Sequence, residues 1–215
     1  MHIAVLGAGK MGSALARVWA QAGHEIAITS ARDPNSIAPL VETLGPGISA
    51  MNNGDAIRRS EVIVLALPWV ARSQIAAEAG GLSGRIVLDA MNAYCPYPHV
   101  VALEGTTSSE IVATELPWAN VVKGLNTLQP IDILAKGCPV SSPERIAVPI
   151  CGNDAAAKYL IADLVDEIGF DAIDIGDLPN GHWSEPESPL FGRTCTAAEL
   201  TELVRKFVPS AQPVP

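Results

Sequence analysis

No run of apolar residues in these 215 approaches the roughly 18 that a membrane-spanning helix needs, which argues against a span. Basic residues are scarce. Fourteen Lys and Arg stand against 23 Asp and Glu, for a net charge of −9. A chain so acidic is a poor partner for nucleic acid or an anionic membrane, although a local phosphate cradle can still take an anionic cofactor. Charge of either sign is sparse at 17%, against 48% hydrophobic residues, which excludes a disordered chain and supplies a buried sheet. The four cysteines (Cys95, Cys138, Cys151, Cys195) show no CxxC spacing and read as free thiols of a reducing cytoplasmic compartment. The four histidines (His2, His24, His99, His182) lie far apart and share no ligand spacing with a cysteine, so no metal site is expected. There is no internal repeat or low-complexity tract, and the chain opens directly on a strand rather than on a secretory leader.

What is present is concentrated at the start. His2 to Leu6 is an apolar run of strand length. Gly7, Gly9 and Gly12 follow in GxGxxG spacing, with Ala8, Lys10 and Met11 between them. Ser13 to Gly23 reads as a helix with Leu15, Val18, Trp19 and Ala22 on one face, and His24 to Thr29 as a second strand. Strand, glycine turn, helix and strand within about 30 residues is the dinucleotide-binding fingerprint in its required context. Gly7 allows the tight turn, Gly9 the approach of a pyrophosphate, and Gly12 close packing of helix on strand. The helix N-terminus then offers free N–H groups and its positive end to the phosphates.

The end of the second strand selects the cofactor. Where an acidic residue would bond the ribose 2′-OH of NAD, this chain has Ser30, flanked by Thr29 and followed by Arg32. Two hydroxyls and a guanidinium suit a 2′-phosphate, so NADP is expected. Asp33 is expected to cap the helix that Pro34 begins.

The rest of the chain continues the alternation of strands and helices. Further strands are expected at 48–50, 61–67, 85–89, 120–125, 146–151 and 171–175. Helices are expected at 35–44, from Asn52 to about Arg59 with Asp55 as N-cap, from Trp69 to about Ala79, from Thr107 to Leu116, and from Asp154 to Ile168. This pattern predicts an α/β fold, a Rossmann-type doubly wound, mainly parallel sheet with a short C-terminal extension. Residues 1–178 form the expected nucleotide-binding domain. Residues 179–215 read as a loop-rich tail with one short helix, begun by a capping box at Thr196 and Glu199 and followed by a frayed end from Pro209.

Ligands of such sheets bind at the carboxyl ends of the strands. The candidates there are Leu67, Pro68 and Trp69, then Met91 and Asn92, then Asn126 and Thr127. Trp69 could lie against cofactor or substrate, or fill the core. Asn92 and Asn126 could bond a nicotinamide carboxamide or a substrate carbonyl, or satisfy loops. Trp69, Asn92 and Asn126 are the candidates for the hydride-transfer pocket. No Tyr-x-x-x-Lys pair follows a strand, and Lys123 either reaches a strand-end pocket or snorkels. No proton donor for a carbonyl is evident. Hydride transfer to a flavin-like ring relies more on orientation than on acid–base help.

These stretches resemble the deazaflavin-dependent NADP oxidoreductases, which exchange hydride between NADP(H) and coenzyme F420. The chain is also similar to the reductase domain of some membrane metalloreductases. The matching residues run from Ile3 to Gly12, Gly23 to Glu25 with Ser30 and Arg32, Val64 to Trp69, Val87 to Asn92, Ser108 to Val112, Val121 to Thr127, Ile150 to Asp154 and Gly169 to Leu178. The resemblance implies an NADP site at Gly9 to Gly12, Ser30, Arg32 and the Pro68–Trp69 turn, with the nicotinamide near Asn92 and Asn126. It also implies coenzyme F420 or a flavin as second substrate, and dimers. The chain departs from the family pattern after Leu178, where Pro179 to Arg193 replaces an apolar helix and should help shape the second-substrate pocket. His182, Trp183 and Arg193 either line that pocket or wrap the sheet edge. Two other readings stand beside this one: a redox sensor that binds NADP(H) without turnover, and a reductase of small imines or carbonyls. The second of these predicts a long helical C-terminal domain, which this sequence does not show.

Overall fold

The computed structural model describes residues 1–30, 33–76 and 79–208, and the side chains of 76–80 are left aside. Arg32 and the end from Pro209 therefore lie outside the described residues, as does part of the expected helix up to Ala79. Eight strands form one sheet: β1 (His2–Leu6), β2 (Glu25–Thr29), β3 (Ile48–Met51), β4 (Val62–Leu65), β5 (Ile86–Asp89), β6 (Asn120–Lys123), β7 (Ala147–Gly152) and β8 (Asp171–Asp174), in the order β3-β2-β1-β4-β5-β6-β7-β8. The strands from β3 to β6 are parallel. β7 runs antiparallel to β6, and β8 parallel to β7. The strand order reverses between β1 and β4, and such a switch point is where open α/β sheets bind ligands.

The strands read as continuous apolar runs because helices cover both faces; every residue of β4 is buried. On one face α1 (Lys10–Gln21) buries Leu15 and Trp19, and α7 (Ala155–Glu167) buries Ile161, Leu164 and Val165. The Trp19 indole N–H donates to the Leu164 carbonyl at 2.9 Å, tying the two helices together. The other face carries α3 (Asn53–Arg59) and α5 (Ser108–Glu115), whose Ala56, Ile57 and Val112 pack with Leu6, Ile63 and Leu65. No helix among the described residues is long and apolar enough to cross a membrane.

The sequence reading needs local corrections. The α3 cap is Asn52, whose side chain accepts the Asp55 N–H at 2.8 Å; Asp55 lies in the first turn, paired with Arg58. After Pro68 the chain forms a 3-10 turn (Trp69–Ala71), the single turn α4 (Ser73–Ala76) and a further 3-10 stretch (Ala79–Leu82) in place of one continuous helix. A helix to which the sequence pattern assigns no element appears at α6 (Pro130–Ala135), started by a proline at its first position and packed against α1. Asp33 caps the 3-10 turn Pro34–Ile37 by accepting the Asn35 N–H at 2.9 Å, and α2 (Ala38–Leu44) follows.

The segment after Leu178 is folded onto the sheet. Leu178–Ser184 is a 3-10 helix. The last helix, α8 (Ala197–Phe207), buries Leu200 and Val204 with Leu190, Ile175 and Cys151 as a third cluster over β7 and β8. Its capping box is the expected one: the Thr196 side chain accepts the Glu199 N–H, and the Glu199 carboxylate accepts the Thr196 N–H at 2.8 Å.

Candidate functional site

The glycine turn sits at the switch point and is tight on one side and open on the other. Gly7 has φ +119°, and a Cβ there would collide with the Ala66 carbonyl at the end of β4. A Cβ on Gly12 would collide with the Gly7 carbonyl. A Cβ on Gly9 would meet nothing within 4 Å. The first and third glycines are thus demanded by protein packing. The second borders open space beside the first turn of α1, whose N-cap is Gly9 with no side-chain cap bond. That leaves N–H donors and the positive helix end unclaimed by any cap side chain, as an anion requires. Lys10 is exposed and Met11 half-buried at this turn. Thr29 is buried and Ser30 half-buried at the end of β2.

Next along the sheet, Leu67 is half-buried and its backbone N would lie 3.1 Å from a Gly7 Cβ, so the turns after β1 and β4 are in direct contact. Pro68 is exposed. The Trp69 ring turns into the core, 4% exposed, with the Arg72 guanidinium 4.0 Å from its centroid. This burial fits the core alternative for Trp69.

Asn92 and Asn126 are brought together. The Asn126 Nδ2 donates to Asn92 Oδ1 at 3.0 Å, and Asn92 Nδ2 donates to the Asn126 carbonyl at 2.9 Å. Asn126 Nδ2 also donates to the Ser184 carbonyl at 2.8 Å. Asn126 is 2% exposed, and its Oδ1 has no partner among the described residues. Just before it, Leu125 takes φ +60°, a left-handed conformation that costs a branched residue energy and tends to be kept at functional positions.

Beneath this pair lies a buried ionic cluster. Lys123 neither snorkels nor opens to a pocket. It is 1% exposed, and its Nζ donates to Asp89 Oδ2 at 3.2 Å, the Met91 carbonyl at 2.6 Å and Ser108 Oγ at 3.0 Å. Asp89 is completed by the Met91 N–H at 3.0 Å and the Ser109 hydroxyl at 2.6 Å. With all three ammonium hydrogens and both carboxylate oxygens engaged, the pair meets the condition for tolerating burial. Asp89, Ser108 and Ser109 are not among the site candidates that the sequence offers, because a strand-end Asp and a Ser-Ser helix start are common for bland reasons. In the register, Cys151 lies opposite Lys123. Burial pushes its thiol up to about 12, so it stays protonated and inert.

The segment after Leu178 borders the same strand ends. The Glu185 Oε1 accepts the Ser108 N–H at 2.5 Å. Tyr94, half-buried just past Asn92, has its phenol pushed up by burial first, then by Tyr97 and by the Glu187 carboxylate. His182 is exposed, its Nδ1 2.7 Å from the Pro179 carbonyl and its ring 4.3 Å from that of Trp183. Trp183 packs on the third core cluster, and Arg193 is exposed. Of the three, Trp183 has the packing that the sheet-edge alternative expects. A cavity of about 470 Å³ lies at the opposite, amino-terminal end of the strands, lined by His2, Glu25, Gly47, Arg59 and Ser60 among others, where none of these groups reaches.

Residues 2–93 match the family of NADP oxidoreductases, coenzyme F420-dependent. An Arthrobacter sp. FB24 protein assigned as an F420-dependent NADP reductase is 30% identical, with a TM-score of 0.72 over 83% of this chain and 86% of that one. The chain belongs to this family of NADP-dependent oxidoreductases. A hypothetical protein from Sinorhizobium meliloti is also 30% identical, with a TM-score of 0.82 over 91% of this chain and 95% of that one. The metalloreductase STEAP3 of Rattus norvegicus is 25% identical over 176 residues, covering 82% of this chain and 34% of that protein. The chain spans between a third and about half of the length of the curated relatives it matches.

Proposed function

We propose that this chain binds NADP(H) across the switch point and exchanges hydride with a small redox acceptor, a deazaflavin such as coenzyme F420 or a flavin, at the ends of β5 and β6. The observation that carries the proposal is the asymmetry of the glycine turn: Gly7 and Gly12 are filled by protein, while Gly9 faces open space at an uncapped helix start. A pyrophosphate is the ligand chemistry that such a cradle fits. Gly7 to Gly12 would hold the pyrophosphate, and Thr29, Ser30 and Arg32 the 2′-phosphate. Leu67 and Pro68 would border the ribose. Asn92 and Asn126 would receive the nicotinamide end, where the orphaned Asn126 Oδ1 is an acceptor for a carboxamide N–H. When bound, NADPH supplies a hydride to an electron-poor ring carbon of the acceptor and leaves as NADP⁺.

The chain's own residues orient the partners. One carboxamide–carboxamide bond and one carboxamide–backbone bond fix both asparagines, and the buried Lys123 holds the Met91 carbonyl next to Asn92. Such fixed geometry is what a hydride transfer mainly requires. The test is titration with NADPH and NADH, followed by loss of NADPH absorbance with coenzyme F420, FMN, FAD or a ferric chelate. Preferential NADPH binding with oxidation by a deazaflavin or flavin is the expected result. Tight binding without oxidation by any of them points instead to a sensor.

A further inference from the structure

Two consecutive residues after β8 are tied to two different elements, the end of β6 and the start of α5. The Ser184 carbonyl accepts from Asn126 Nδ2, and the Glu185 carboxylate accepts from the Ser108 N–H. Ser108 Oγ accepts from Lys123 Nζ, Lys123 also donates to the Met91 carbonyl, and the next residue, Asn92, is paired with Asn126. The bonds therefore close into a ring through residues 184–185, the start of α5, the end of β6 and the end of β5.

The Glu185 link is the one a local helix cap cannot supply. Thr107 and Glu110 form a capping box at α5: the Thr107 hydroxyl accepts the Glu110 N–H at 3.1 Å, and the Glu110 carboxylate accepts the Thr107 N–H at 2.8 Å. The Ser108 N–H between them is left over, and Glu185 takes it from 77 residues away. A carboxylate at a helix N-terminus is held by both a charge-assisted bond and the helix dipole.

We propose that Glu185 is a positioning residue that fixes residues 184–187 as a wall of the acceptor pocket and locks that wall to the Asn92–Asn126 pair. The wall's far end, Glu187, turns at φ +69°, and its carboxylate acts electrostatically on the phenol of Tyr94, two residues past Asn92. This inference rests on the reading of Asn92 and Asn126 as the acceptor side of the site.

The test compares wild type with Glu185→Ala, Glu185→Gln and Asn126→Ala by hydrogen exchange of peptides covering 107–116 and 178–190. NADPH titration and steady-state kinetics with coenzyme F420 and FMN complete it. In Glu185→Ala, both segments should exchange about tenfold faster or more, as the loss of a charge-assisted bond implies. The acceptor KM should rise by a similar factor, with the NADPH Kd within about twofold of wild type, the scatter of a distant neutral change. Glu185→Gln, which keeps the shape with a neutral acceptor, should fall between. Asn126→Ala should speed exchange in 107–116 as well, through the ring. A plain helix cap predicts that Asn126→Ala leaves 107–116 unchanged and that Glu185→Ala leaves the acceptor KM unchanged. Either result overturns the proposal, as does unchanged exchange in Glu185→Ala. Failure of wild type to bind NADPH removes the functional reading instead, while the Asn126→Ala exchange result still decides whether the ring exists.

Discussion

The two sides of the candidate site are built by opposite means. The cofactor side, from β1 to β4, is shaped by missing side chains: Gly7 and Gly12 let backbone meet backbone, and Gly9 leaves space. The proposed acceptor side, from β5 to the segment after β8, is shaped by side chains that bond one another or distant backbone across 34, 58 and 77 residues of sequence. A cradle made of backbone can recognise a phosphate that every dinucleotide shares. A ring of side chains can be changed one residue at a time, and it is there that a family holding one cofactor can vary its acceptor.

The comparison can be broken most forcefully at its buried charges. Lys123→Met leaves the fully buried Asp89 without its cation, and should destabilise the fold by about 3–5 kcal/mol, read from denaturant midpoints. The double variant Lys123→Met with Asp89→Asn removes the orphaned charge and should recover much of that loss. If the single variant is as stable as wild type, the acceptor side does not depend on its ionic cluster.

On the cofactor side, Gly12→Ala forces a methyl against the Gly7 carbonyl. It should cost roughly 1–3 kcal/mol of stability, toward the upper end because backbone cannot easily move aside, and should weaken NADPH binding. Gly9→Ala, which meets nothing in the protein, should leave stability within about 0.5–1 kcal/mol while still weakening NADPH, because only the ligand needs that space. Equal stability losses for the two variants would erase the tight-and-open distinction. Arg32→Ala sharpens the cofactor choice: it should weaken NADPH by about 1.5–3 kcal/mol and NADH much less. Equal losses for the two would sink the 2′-phosphate assignment.

The smallest effect near neutral pH concerns Cys151, beside the ionic cluster. Its thiol is pushed up to about 12 in the fold, from an ordinary value near 9.0. Below the ordinary value it is neutral in both folded and unfolded chains and contributes no pH dependence. Above it the unfolded chain loses the proton first, so stability falls as pH rises from about 9 toward 12. Cys151→Ala should flatten that decline in denaturant titrations, and in the native protein a thiol reagent should modify exposed Cys95 well before Cys151.

The same contrast explains what the sequence made legible. The β1–α1–β2 unit, the caps at Asp33 and Thr196, the helix start at Thr107 and the amphipathic α7 are local: each depends on residues within a few positions, and each is readable. The placing of Asn92 and Asn126 at strand ends was readable too, from the apolar runs before them. Their pairing was not, because nothing local sets which strands become neighbours. Lys123 was misread for that reason: a lysine at the end of a strand is ordinarily solvated, and its carboxylate partner lies 34 residues earlier on the neighbouring strand. Asp55 has the chemistry of a cap, but Asn52 stands where the backbone leaves the helix. The short α6 escaped because six residues carry too little periodicity to register.

The central claim, a backbone cradle for NADP(H) serving an acceptor site walled by side chains, is tested most directly by titrating the protein with NADPH and NADH and then adding coenzyme F420 or FMN. The account predicts saturable binding that favours NADPH, followed by NADPH oxidation when the acceptor is present. Absence of binding, or equal affinity for NADH, would contradict it.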